Sequence, residues 1–139
     1  MVGVDTDLEM ALFDADHGRD LPRAVARARD GFARYPSVKA ADVLAWTLYQ
    51  SGDYATAQEA SREALRLGTE DALMLFHAGM IEARLGETTA AVDLLQRALR
   101  LNPHFSVRYA ELARETLRGL GAEIPASRAA GVGEPAGAP

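Results

Sequence analysis

The residues able to carry chemistry are scattered along this sequence. Its three histidines are His17, His77 and His104. No two stand four apart, and no His-Glu-x-x-His run exists, so a zinc site would need three separate stretches to converge. The expectation is two surface histidines, one interior histidine and no metal. The N-terminal acids Asp5, Asp7, Glu9, Asp14, Asp16 and Asp20 invite a calcium reading. Asp14-x-Asp16 opens like a calcium loop, but Gly18 comes one place too early and no glutamate closes the loop. Gly119, Gly121, Gly131, Gly133 and Gly137 follow no strand and precede no Lys-Ser or Lys-Thr pair, so they form no phosphate loop. Ser37, Ser51, Ser61, Ser106 and Ser127 lie in no nucleophile-elbow sequence. Glu59 with Glu63 reads as solvated helix charge, lacking a pocket that would raise one pKa. Cysteine is absent, which excludes disulfide scaffolds and thiol catalysis. The sequence therefore points away from an enzyme and calls for no cofactor.

The composition narrows what could position side chains at all. A chain of 139 residues, 48% hydrophobic and 25% charged, is one domain of ordinary globular type. Aromatics are only 6%, while alanine occurs 27 times, so the core is built of small side chains at close spacing. Closely packed helices suit that composition better than a β-sandwich does. A net charge of -5 argues against a nucleic-acid partner. No apolar run approaches the roughly 20 residues that span a bilayer, and residues 1–7 are acidic where a secretory leader would be basic. The expected setting is cytoplasmic, away from membranes.

The strongest signal is an internal repeat of 34 residues. Gly52 maps to Gly86, Ala57 to Ala91, Ala64 to Ala98 and Ala45 to Gly79. Leu65-Arg66-Leu67 maps to Leu99-Arg100-Leu101. A weaker copy lies upstream: Gly18 is 34 before Gly52, but Ala24 is 33 before Ala57, so one residue is inserted after Gly18. Each copy reads as two helices by its apolar spacing, predicted at 5–17 with 20–34, 38–51 with 54–67, and 70–85 with 88–101. Ser37 is a predicted N-cap, and Gly52 ends one helix by taking a left-handed turn. Asn102-Pro103 is expected to open a final helix over 104–120. Residues 122–139, rich in alanine, glycine and proline, are expected to form a flexible tail outside a 1–121 helical domain.

The 34-residue period, the small residues at Ala45, Gly79, Ala57, Ala91, Ala64 and Ala98, and Pro103 at a unit boundary resemble the tetratricopeptide-repeat family. Tyr54 takes the family's aromatic place in the inter-helix turn. Leu21, Thr88 and Thr69 depart from the pattern. The Leu67–Ala72 and Leu101–Phe105 runs are similar to C-terminal repeat regions of larger bacterial proteins of this family, which leaves open that the chain is a fragment. The resemblance implies an all-α, right-handed superhelix of three helix-turn-helix pairs (about 5–37, 38–71 and 72–105) with a capping helix. It also implies that the first helix of each pair lines a concave groove. Its lining would be Lys39, Asp42, Trp46, Tyr49, Leu73, Phe76, Met80, Arg84 and Arg114, which gathers the chain's one tryptophan with other aromatic residues. Such side chains suit a binding patch. The family's carboxylate clamp for chaperone tails is missing, since Asp42 and Phe76 stand where basic or amide groups are needed. The implied function is non-catalytic: a groove for a partner peptide or helix. The alternative is an assembly role in which the apolar groove face makes a homodimer.

Overall fold

The computed structural model describes residues 2–126, with side chains from Thr6 onward. The described residues form seven α-helices and no strands: α1 (Val2–Asp16), α2 (Leu21–Arg34), α3 (Val38–Gln50), α4 (Tyr54–Leu65), α5 (Ala72–Arg84), α6 (Thr88–Leu101) and α7 (Val107–Gly119). Neighbours pair as α1–α2, α3–α4 and α5–α6, and both helices of each pair pack on the first helix of the next. This is the all-helical repeat architecture expected from the 34-residue period. Residues 127–139, most of the expected tail, lie outside the described residues.

Short side chains accept hydrogen bonds from the first free amides of the helices. Ser37 Oγ accepts from Ala40 N, as the sequence predicts, and Asp71 and Ser106 do the same for Met74 N and Tyr109 N. The inter-helix turns repeat in detail. Asp53 N donates to Leu48 O, and one repeat later Glu87 N donates to Glu82 O, both at 3.0 Å. Both closures pass through a left-handed residue, Gly52 at φ 90° and Gly86 at φ 78°, a conformation that costs a side-chain-bearing residue free energy.

The last helix starts later than its sequence suggests. Asn102 Oδ1 accepts from His104 N at 3.0 Å, holding residues 102–105 in a turn, and the cap passes to Ser106. The far boundary also differs. The chain after α7 does not leave the fold at residue 122: Ala122 and Ile124 pack against the core, and Glu123 O accepts from Gln96 Nε2 at 3.0 Å.

The core is filled as the composition demands. Ala45, Ala57, Ala64, Ala91 and Ala98 are all essentially inaccessible. Gly79 marks the tightest crossing: a Cβ there would stand 2.7 Å from Leu95 Cδ2 and 3.3 Å from Leu95 N. The small residues thus set how closely α5 approaches α6.

Candidate functional site

The first helices α1, α3, α5 and α7 converge on one cluster of aromatic rings. Trp46 on α3 stacks on Tyr49, centroids 4.6 Å apart, and on His77 of α5 at 4.2 Å. Phe76 stacks on Tyr109 of α7 at 4.9 Å, tilts against Phe105 at 5.6 Å, and lies 5.7 Å from Trp46. Tyr109 closes the ring by meeting Trp46 edge-on. Such offset and edge arrangements complement the ring quadrupoles.

A buried indole N–H and a phenol need partners, and one residue serves both. Asp16, at the end of α1, accepts from Trp46 Nε1 at 2.8 Å and from Tyr109 Oη at 2.5 Å on the same carboxylate oxygen. Its backbone carbonyl accepts from Arg108 at 3.3 Å. The backbones of α1 and α7 do not otherwise approach each other. Asp16 is therefore a side-chain latch between the first and last helices. Burial, and then the hydrogen bond to Asp16, push the Tyr109 phenol well above its ordinary value.

Deeper in the cluster, His77 Nδ1 lies 2.9 Å from Asp42 Oδ1, and His77 Nε2 has no partner. A carboxylate only accepts, so the ring Nδ1–H is the donor in this contact. Among the described residues, no three histidine, aspartate or glutamate side chains are placed to share a metal ion. No helix among them is long and apolar enough to cross a membrane.

The expected groove residues do come together, but most of them are not open. Trp46 is 1% exposed and Phe76 0%, and Asp42, Tyr49 and Met80 are also buried. Asp42 lies against His77, and Tyr49 against Trp46 and Tyr54; over Trp46, Phe76 and Met80 lies α7. Its Tyr109, Ala110, Ala113 and Leu117 are buried in the same core, and Thr116 Oγ1 reaches Met80 Sδ at 3.5 Å. What reads as an open aromatic face in the sequence is a filled one. The rim remains accessible. Lys39 is exposed, 3.9 Å from Glu9, and Leu73 is half-buried. Arg84 is exposed and lies over the Tyr54 ring at 5.8 Å, its pKa raised first by a hydrogen bond with Tyr49. Arg114 sits on α7 itself, donating to Pro103 O at 2.8 Å.

Two residues central to the cluster, Asp16 and Tyr109, carry no motif. The repeat resemblance already turns the first toward the groove, without naming a partner for it. Asp16 lies 34 residues before Gln50, so the repeat register places it on the concave side, where a buried Trp46 needs an acceptor.

Helix pairs of this length, stacked at a fixed period with small residues at their crossings, define a helical-repeat protein. Residues 43–104, a little under half of the chain, match the family model described as tetratricopeptide repeat. No curated protein matches the chain. Repeats of this family generally mediate protein–protein interaction and are typically non-enzymatic.

Proposed function

We propose that the protein is a non-catalytic interaction module that holds a partner peptide or helix on its concave face. One observation carries this reading: that face already holds a helix. α7 lies on it with an aromatic anchor, Tyr109, and the small residues Ala110 and Ala113. A surface that seats an amphipathic helix from its own chain has the shape and apolar chemistry to seat one from another. The partner takes the place of α7 over Trp46, Phe76 and Met80. Lys39, Leu73 and Arg84 meet it at the rim, and Arg114 moves away with α7.

The test uses the intact protein, its Asp16→Ala variant and a labelled peptide of residues 104–120. The emission of Trp46, the single tryptophan, reports directly on the face. Saturable binding, tighter for Asp16→Ala because the latch is loosened, supports the reading. No binding to either protein contradicts it. A separate assembly reading, distinct from a dimer through the groove, draws on a face of the first repeat that no described residue covers.

A further inference from the structure

The repeat register identifies an uncovered stacking face. On α3, Ala40, Val43 and Thr47 are buried, and the first two share a cluster with Leu8, Ala11 and Ala28 of the preceding pair. On α5 the equivalent face, His77, Ala78 and Ile81, is likewise buried. Moving 34 residues back from α3 brings this face to Thr6, Glu9, Met10 and Phe13 of α1. There it is open: Met10 is 44% and Phe13 51% exposed, with the His17 ring 4.1 Å from Phe13. Asp7 and Asp14 flank Met10 at helical spacing.

The neighbouring helix carries the opposite charge. On α2, Val25 packs into the main core and Phe32 lines a cleft with Glu63 and Arg66 of the second pair. At about 100° per residue, Arg23, Arg27 and Arg34 fall on the opposite side of α2, away from the following repeat. Arg34 pairs with Asp30 at 3.2 Å. Asp7, Asp14, Arg23 and Arg27 have no ion-pair partner among the described residues. A row of acids around two exposed apolar side chains thus lies beside a row of arginines on the first helix pair.

We propose that this end face pairs with the same face of a second copy. A two-fold axis parallel to the helices lays α1 of each copy antiparallel across α2 of the other. The acidic row then meets the basic row twice, with Met10 and Phe13 between them. The spacings agree: Asp7 and Asp14 stand seven residues apart, as do Arg27 and Arg34, a rise of about 10.5 Å in each helix. Asp7 opposes Arg34, and Asp14 opposes Arg27. This interface is separate from the concave face and does not depend on the function proposed for it.

Light scattering with size exclusion, over a wide concentration range and at low and high salt, tests the pairing. The wild-type protein is expected to reach twice the monomer mass at low salt and to dissociate as salt screens the charges. Two variants then decide the geometry, with circular dichroism confirming that both fold. Asp7→Arg with Asp14→Arg makes both rows basic, and Arg27→Glu with Arg34→Glu makes both acidic. Each alone is expected to be monomeric, and their equimolar mixture to recover the doubled mass. A wild-type monomer at every concentration overturns the proposal. So does a dimer that survives either charge reversal, or a mixture of folded variants that stays monomeric.

Discussion

Asp16 concentrates more interactions than any other polar residue in the cluster. Its carboxylate satisfies two buried donors from helices 30 and 93 residues away in sequence. Replacing it with alanine strands both donors, so Asp16→Ala should destabilise the fold by about 2–4 kcal/mol in urea denaturation, since a buried polar group left without its partner costs about 1–3 kcal/mol. Asp16→Asn keeps an acceptor and should cost less. Tyr109 adds a pH dependence whose sign is fixed. Its folded-state pKa is raised, so its contribution is complete below the unfolded phenol value and is lost as pH rises through the folded one. Stability should therefore fall above about pH 10, and Tyr109→Phe should make that alkaline decline shallower. An unchanged slope would mean that the phenol titrates alike in both states. Trp46 stands out in the sequence by its type and position. Asp16 does not, because an acceptor is chosen by three-dimensional closure and an aspartate near a helix end has a simpler local explanation.

At the scale of helices, almost everything periodic is legible. The stripe spacing, the glycine turns and the Ser37 cap follow from local rules that tertiary contacts reinforce. Gly79 shows what periodicity adds: it occupies the place of Ala45, yet only contact with Leu95 explains the loss of the methyl group. Gly79→Ala should destabilise by about 1–3 kcal/mol through overpacking. Gly31→Ala should cost less or nothing. There the added Cβ meets the mobile end of Leu8 at 3.1 Å, and alanine regains about 0.5–1 kcal/mol of helix preference. Comparable losses at the two glycines would contradict this account of the α5–α6 crossing. The chain after α7 is less legible, because alanine, proline and a lone isoleucine carry no period. The Gln96–Glu123 bond and the packing of Ile124 imply that ending the chain after Ala122 costs about 1–2 kcal/mol relative to ending it after Ala126. Equal melting temperatures for the two lengths would show that residues 123–126 contribute nothing.

For the molecule as a whole, the sequence conveys a stack of helix pairs but not how far the stack closes on itself. That depends on α7, whose amphipathic pattern fits a solvent-backed cap as well as a helix laid over aromatic rings. On the proposed function the difference matters, because an open aromatic face would bind at once and a filled one only by exchange. The resemblance to tetratricopeptide repeats implies a groove, and α7 packs its Tyr109 on Trp46 and Phe76 there. Acrylamide quenching of Trp46 fluorescence in the intact protein tests this closure most directly. With Trp46 1% exposed, quenching should stay weak in the wild type and rise clearly in folded Asp16→Ala. Strong quenching in the wild type, approaching that of the unfolded chain, would mean that the concave face stands open and α7 does not cover it.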